Sequence, residues 1–313
     1  MIALWGPRND APLEAVRVAL TRRGVETLVI DQHEIAATEV RLDFDGAPAG
    51  ELTYLGRSYR LEAIDALYLR THDSRRLAEI ESAGRDSAPW HHAVAVEDAL
   101  LSWCEAGDTH VVNRPSGAAS NASKPYQASV LRSCGFEVPK TLVTTDPDAA
   151  RRFWTDHGAV IYKSLSGIRS IVRRLTTGSD ARLADVRHCP TQFQQFVPGW
   201  DVRVHKVGER LFATEIDSDH DDYRYPARDG TPPTLRPCEL PKDVAEKCRA
   251  AGRELELPVA GIDLRRTPDG RWFAFEVNPS PGFTYFEAQT GQPIAQAIAD
   301  YLIKAARDRN RRR

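Results

Sequence analysis

Apolar and polar residues in the first 110 positions alternate between the spacing of strands and that of helices. Strand-like patterns occur at residues 2–5, 25–30, 40–61 (a hairpin) and 64–70. Asp10 can cap a helix over residues 11–23, which Gly24 would end. Apolar residues at helical spacing over 89–105 predict a longer helix. This alternation indicates an α/β domain that ends near residue 110.

The remainder of the chain carries more strand patterns than helix patterns. Strands are predicted at residues 109–113, 140–143, 159–163, 191–197, 201–208, 210–217, 259–266 and 271–277. Helices are predicted at residues 125–134, 147–157, 241–255 and 292–307. The polar stretch 218–240 predicts a loop, and the Pro-Asp-Gly at 268–270 predicts a tight reversal between the last two strands. The fold class is therefore α/β at the front and α+β behind.

Composition and charge exclude several classes of partner. The 313 residues carry a net charge of −2, so no overall basic field favours nucleic acid. No apolar run approaches the ~18 residues of a membrane span, and Arg8 and Asp10 come too early for a signal peptide, so we expect a cytoplasmic protein. The five cysteines are odd in number and lack a CxxC pair, which argues against a disulfide framework or a zinc site.

Oxygen-bearing side chains stand at the end of the aromatic strand in RWFAFEVNPSPG, where Glu276 precedes Asn278 by two residues. Asp263 lies in the strand predicted to pair with it, and antiparallel pairing brings such residues within several ångströms. The spacing allows Asp263 and Glu276 to face the same side without fixing the register. Two carboxylates and an amide oxygen suit Mg²⁺. The alternative is that Asp263 faces solvent and Asn278 only starts the turn.

Two lysines occupy positions that suit phosphate binding. Lys124 stands at a predicted helix start, where backbone N–H groups favour anions. Lys163 ends the apolar strand AVIYK and precedes the small residues SLSG, which could close over a ligand. Each lysine alone is more often an ordinary surface residue. Together with the acidic set they begin to describe a phosphate channel.

The order of these motifs resembles a known family. The segments NRPSGAASNASKPYQ, VIYKSLSG, QQFVPGWDVRV, VAGIDLRR and FAFEVNPSPG follow the order and spacing of ATP-grasp ligases. The resemblance is greatest to the RimK-like branch, and within it to the graspetide (microviridin-type) synthetases that macrocyclise ribosomal peptides. It implies an N-terminal pre-ATP-grasp domain over residues 1–112, a small central subdomain over 113–190 and a C-terminal subdomain over 191–313.

The resemblance also implies the cofactors ATP and Mg²⁺ and a role for each matching residue. The nucleotide would be held by Lys124 and Lys163 at the phosphates, by Gln195, Phe196 and Val197 at a hinge beside adenine, and by Asp201 near the ribose. Asp263, Glu276 and Asn278 would hold one or two Mg²⁺ ions. Arg203 would face the γ-phosphate and the acyl phosphate, and Arg224 in DDYR would lie near the reacting carboxylate.

A further arginine, Arg70, matches an arginine-bearing strand end in the family. It could reach the substrate, and a surface salt bridge is the alternative. The chain departs from the peptide-ligase pattern at Tyr223, where Trp is usual, and at Ser280-Pro281-Gly282, where Asn-Gly is usual. The loop over 218–240 also looks short.

The function implied is an ATP-dependent ligase acting on a ribosomal precursor peptide that carries a leader sequence. An Asp or Glu side chain would be phosphorylated and then joined to a Ser/Thr hydroxyl or a Lys amine, forming an ω-ester or ω-amide macrocycle. One alternative is a RimK-like ligase that adds amino acids to a small molecule or a protein tail. Another is a non-catalytic ATP-binding regulatory protein. No nucleic acid or membrane partner is expected, and a homodimer is a possible assembly.

Overall fold

The computed structural model describes residues 1–46, 48–164, 173–218 and 233–312. Arg224 and the rest of DDYR lie outside these residues, as do most of the SLSG residues after Lys163.

The first part of the chain forms a parallel sheet beside a small antiparallel one. Its elements are β1 (Ile2–Gly6), α1 (Ala11–Thr21), β2 (Thr27–Asp31), β3 (Glu39–Asp43), β4 (Ala49–Tyr54), β5 (Arg57–Arg60), β6 (Ala66–Leu69), α2 (Ala78–Ala83), α3 (Ala88–Ala106) and β7 (His110–Val112). The parallel sheet has the order β2-β1-β6-β7, and β3-β4-β5 form the second sheet. The predicted cap of α1 is confirmed, since the Asp10 carboxylate accepts from the Leu13 amide at 2.7 Å.

The middle of the chain forms a four-stranded sheet with the order β10-β9-β11-β8. Its elements are α4 (Pro115–Ala119), α5 (Lys124–Ser133), β8 (Thr141–Thr144), α6 (Pro147–His157), β9 (Val160–Ser164), β10 (Arg173–Arg174), a 3-10 helix (Thr177–His188) and β11 (Thr191–Gln195). The three strands predicted between 191 and 217 are present, but β11 pairs with β8 and β9. The two strands that follow join another sheet. Gly199 lies directly before the first of them at φ +142°, where a Cβ would lie 2.1 Å from the Arg266 carbonyl oxygen.

The last part of the chain forms a five-stranded antiparallel sheet with the order β14-β13-β12-β15-β16. Its elements are β12 (Trp200–Val207), β13 (Arg210–Asp217), β14 (Thr234–Cys238), α7 (Lys242–Glu254), β15 (Val259–Arg266), β16 (Trp272–Asn278), α8 (Thr284–Thr290) and α9 (Ile294–Asn310). The prediction of a loop over 218–240 is wrong for β14, which pairs with β13. Its polar residues gave no strand pattern because it is an edge strand.

The last helix, α9, joins the two ends of the chain in one hydrophobic core. Leu302 and Ile298 of α9 are fully buried with Leu4 of β1 and Leu13 of α1. A second core lies on the other face of the parallel sheet, and a third lies between the five-stranded sheet and α5 and α7. Among the described helices, none is long and apolar enough to cross a bilayer.

Candidate functional site

Three charged residues lie in one row across neighbouring strands of the five-stranded sheet. Arg203 of β12 is opposite Asp263 of β15, and Asp263 is opposite Glu276 of β16. Arg203 Nη1 donates to Asp263 Oδ1 at 2.6 Å. The prediction that Asp263 and Glu276 can face the same side is confirmed by this register, because directly opposed residues of an antiparallel pair share a face.

A β-bulge interrupts β16 beside this row. Asp263 is paired with Glu276 and the next residue, Leu264, with Ala274, so Phe275 is the extra residue. The bulge changes the alternation of the strand. Ala274 and Val277 are both in the hydrophobic core, although they are three positions apart and a regular strand would place them on opposite faces. This leaves Glu276 facing away from that core.

Helix α5 brings a lysine to the end of the row. Its cap is Ser123, whose hydroxyl accepts from the Tyr126 amide. Lys124 follows as the first helical residue, and its ammonium donates to Glu276 Oε2 at 2.6 Å. Both side chains are about four-fifths buried, which strengthens their attraction relative to an exposed pair.

The same helix is attached to β16 by a buried glutamine that the sequence analysis did not single out. The Gln127 amide group donates to the Val277 carbonyl at 2.7 Å, and its oxygen accepts from the Val277 amide at 3.2 Å. Gln127 therefore replaces a neighbouring strand at this point of the sheet edge. Its sequence signal, one polar residue on the buried face of a helix, is weak without its partner.

Asn278 does begin the turn after β16, as one of the two sequence interpretations held. Its side-chain oxygen accepts from the Ser280 amide at 2.9 Å. An amide oxygen has two lone pairs, so this bond leaves one for a cation. The turn and the proposed metal role are therefore compatible.

The hinge predicted at residues 195–197 lies between the four-stranded sheet, which ends with β11, and the five-stranded sheet, which begins with β12. The amides of Gln195 and Phe196 donate to the carbonyls of Lys140 and Ala159, both at 2.9 Å. The Val197 carbonyl accepts from Arg265 at 2.9 Å. The two amides are already used within the protein, whereas the Val197 carbonyl keeps a second lone pair, so a purine would be recognised there or by other polar groups of the hinge.

Arg265 was also missed from the sequence, although it lies in the GIDLRR motif. It forms a bidentate pair with Asp201 at 2.8 and 2.9 Å. Its guanidinium also lies 5.4 Å from the Phe275 ring centroid and 5.8 Å from that of Phe196. Asp201, the residue expected near the ribose, is therefore linked to Val197 of the hinge through Arg265, which donates to both.

Lys163 lies on the four-stranded sheet, opposite Gln192 of β11 and half-buried. It is therefore on a different sheet from the Arg203–Asp263–Glu276 row. A hydrogen bond brings Lys124 to the row, with Asn278 two residues after Glu276 on the same strand, whereas Lys163 lies on the four-stranded sheet and residues 195–197 at its end.

Arg70 is not at the surface, so that part of the sequence interpretation is wrong. Only 9% of it is exposed, and it forms a bidentate pair with Asp10 at 2.7 and 3.0 Å. Its remaining nitrogen, Nη1, donates to the Pro281 carbonyl at 3.2 Å. The alternative reading, a substrate contact, stays a prediction.

Two sizeable cavities lie away from the charged row. A cavity of about 620 Å³ adjoins the hinge and includes Phe136 and Phe273 in its lining. Another of about 1160 Å³ lies between α9 and the end of α7, near Lys206 and Tyr301. Neither lining includes Lys124, Arg203 or Glu276. Size is therefore a poor guide to the chemistry of this protein, and the charged row is the better candidate site.

The fold is that of an ATP-grasp enzyme, as the sequence motifs implied. The family model for the RimK-like ATP-grasp domain matches residues 122–302, and the chain belongs to this family. It is an ATP-grasp ligase.

Similar proteins include both amino-acid ligases and peptide ligases. A probable alpha-L-glutamate ligase of Photobacterium profundum is 33% identical over 224 residues, or 68% of this chain and 73% of the relative. The ATP-grasp ligase PsnB, solved with minimal precursor, Mg and ADP, is 29% identical with a TM-score of 0.80 and 97% of each chain covered. The macrocyclase MdnC of Microcystis aeruginosa MRC, solved with precursor peptide MdnA, is 22% identical with a TM-score of 0.81, covering 97% of this chain and 100% of MdnC. At that identity MdnC shows a shared fold.

Proposed function

We propose that this ligase activates an Asp or Glu side chain of a ribosomal precursor peptide with ATP and joins it to a Ser/Thr hydroxyl or Lys amine of the same peptide. The product is an ω-ester or ω-amide macrocycle, with ADP and phosphate released. The observation that carries the proposal is the row of Arg203, Asp263 and Glu276, with Lys124 bound to its end. This arrangement places two carboxylates between two cations, so the acids can hold a metal ion while the cations offset negative charge on the transferring phosphoryl group.

The residues at the row fit a magnesium ion by their chemistry. Asp263 and Glu276 supply carboxylate oxygens from opposed positions, and Asn278 adds an amide oxygen two residues along the same strand. Mg²⁺ prefers oxygen ligands and is usually bound by one or two carboxylates together with phosphate oxygens of the substrate. The described parts of the chain contain no group of three or more His, Cys, Asp or Glu side chains that could hold a metal ion, so this site would combine two acids with an amide oxygen. A bound Mg²⁺ would offset negative charge on the phosphates.

The reaction has two balanced steps. A carboxylate oxygen of the peptide attacks the γ-phosphorus of ATP, the bond to the bridging oxygen breaks, and ADP leaves. The hydroxyl or amine then attacks the acyl phosphate and loses a proton, and phosphate leaves with the carboxylate oxygen. Lys124 and Lys163 would hold phosphate oxygens, Arg203 would offset charge on the transferring group, and Arg224 would bind near the reacting carboxylate.

The peptide substrate is supported by PsnB, which shares 29% identity over nearly the whole chain and was solved with a precursor. A second candidate function is amino-acid ligation. It is favoured by the probable alpha-L-glutamate ligase that is 33% identical over two thirds of this chain. ADP release should respond to a peptide encoded beside the gene in the first case, and to free glutamate in the second. Loss of one water mass per link would support macrocyclisation, and an unchanged peptide mass under ATP turnover would contradict it.

The role of Glu276 can be tested separately from the substrate. Glu276→Gln keeps the shape of the side chain but removes the charge that Lys124 contacts, and a metal contact of this kind is worth several kcal/mol in the transition state. We expect ADP formation to fall on the order of 100-fold or more, since each ~1.4 kcal/mol is tenfold. Glu287→Gln, on α8, is the control. Equal rates for Glu276→Gln and the wild type would exclude the metal role.

A further inference from the structure

The short segment Asn278–Gly282 begins at the last residue of β16, and side chains that are distant in sequence hold it in place. It contains two prolines, whose carbonyls point to partners outside the segment. Phe283 after it is fully buried in the core that α1 and α9 share. The segment thus runs directly from the candidate metal site into the core at the first part of the chain.

Asn113 holds the first half of this segment. Its amide nitrogen donates to the Pro279 carbonyl and, at 2.7 Å, to the Val259 carbonyl. Its side-chain oxygen accepts from the Val259 amide at 3.2 Å. One buried side chain therefore ties the start of β15 to the residue next to Asn278.

Arg70 holds the second half. Two of its nitrogens are used by the Asp10 carboxylate, and the third donates to Pro281. The carboxylate is itself fixed because it caps α1 through the Leu13 amide. A planar guanidinium can satisfy a carboxylate and a carbonyl together, which an ammonium cannot do with the same geometry.

We propose that Arg70 and Asn113 are positioning residues for the metal end of the site, and that Arg70 acts on the reaction through Pro281 rather than by binding substrate. This inference rests on the proposed function, because it takes Asn278 as a magnesium ligand. The contacts converge on Pro279 and Pro281, which flank the Ser280 amide that orients the Asn278 oxygen. Partners that orient a ligand typically affect metal affinity nearly as directly as the ligand does.

Metal binding without turnover tests this role. Mn²⁺ is titrated into the full-length protein saturated with ADP, and free Mn²⁺ is followed by electron paramagnetic resonance. We expect Arg70→Lys to raise the Kd for Mn²⁺ on the order of tenfold while ADP affinity without metal is unchanged. Asp10→Asn keeps the capping oxygen and should shift the Kd in the same direction. Hydrogen exchange at the Ser280 amide, which donates to Asn278, should accelerate in both variants.

Arg309→Lys is the matched control. Arg309 of α9 is also mostly buried and donates to the Ile64 carbonyl at 2.6 Å, and it pairs with Asp65, away from the segment. It should leave the Kd for Mn²⁺ unchanged. If Arg70→Lys folds and binds Mn²⁺ as the wild type does but raises the KM for peptide, Arg70 is a substrate contact and the proposal is overturned. If the wild type with ADP binds no Mn²⁺, the proposed metal site itself fails.

Discussion

At the scale of single residues, Gly261 leaves the space that the guanidinium of Arg203 occupies. Gly261 lies on β15 two residues before Asp263 and is opposite Asn278. A Cβ added there would lie 2.1 Å from Arg203 Nη2 and 2.5 Å from its Cζ. The guanidinium of Arg203 thus occupies the space that any other residue would fill, and this space directs it toward Asp263.

We therefore expect Gly261→Ala to displace Arg203 and to lower the rate of ADP formation on the order of 100-fold, the scale of losing one preorganised donor. Gly178→Ala is the matched control, because a Cβ at Gly178 meets no atom within 4 Å. Initial rates and thermal melts of both variants check the prediction. A Gly261→Ala protein with the wild-type rate would show that Arg203 does not need this position.

His205, two residues after Arg203, should make stability sensitive to acid. It is 1% exposed, and burial, together with the charge of Arg203, lowers its pKa well below 6.5. The unfolded chain then binds a proton that the folded chain excludes, so stability falls as the pH drops below about 6.5, by at most ~1.4 kcal/mol per pH unit. His205→Leu should flatten this dependence between about pH 7.5 and about pH 5.5, measured by urea unfolding. His91→Gln, at an exposed position on α3, is the control and should leave this pH dependence unchanged.

At the scale of elements, the docking of α5 on β16 decides where Lys124 and Glu276 meet. The helix carries Lys124 in its first turn and Gln127 one turn later, and Gln127 alone satisfies both backbone groups of Val277. The lysine contact and the backbone contact therefore support each other along one helix face, three residues apart.

Gln127→Leu should lower the free energy of unfolding by about 2–4 kcal/mol, because it leaves the buried N–H and C=O of Val277 without partners. Urea unfolding measures the loss. Ser129→Ala, exposed on the same helix, should change it by less than about 0.5 kcal/mol. If Gln127→Leu were neutral, water would have to replace the side chain at the sheet edge.

At the scale of the whole molecule, α9 shares one hydrophobic core with residues of β1 and α1 and with Val207 and Val259 of the five-stranded sheet. Leu302→Ala should cost about 2–5 kcal/mol, because Leu302 is fully buried in the core shared with β1 and α1. Hydrogen exchange should then accelerate in β1 as well as in α9. Lys304→Ala, exposed on α9, is the control. Acceleration confined to α9 would contradict a shared core.

The sequence predicted those features that depend on local pattern. Helix α6 spans the predicted residues 147–157, and β15 spans the predicted 259–266. Both have strong periodicity between clear breaks. The pairing of Asp263 with Glu276 was open in the sequence, because the bulge at Phe275 shifts the register in a way that spacing does not encode.

Contacts between distant residues could not be read from local pattern. Arg70 and Asp10 are 60 residues apart, and Arg265 and Asp201 are 64 apart. Asp10 was predicted as a helix cap, Arg70 as a substrate contact or a surface salt bridge, and Asp201 as a ribose contact. No local pattern named the partner of any of them, and Arg265 was not singled out. The pairs form only when the strands that carry them are assembled into sheets, so local pattern could not show which residues pair.

The pairing of Lys124 with Glu276 and of Arg203 with Asp263 has a consequence for the order in which ligands arrive. Each acid already neutralises a protein cation, so a lone divalent ion would have to displace Lys124 or Arg203 and leave it without compensation. A nucleotide that brings its own phosphates offers those cations new partners as the ion takes the acids. The ion should therefore bind together with the nucleotide or after it, and we expect the protein without nucleotide to bind divalent metals weakly.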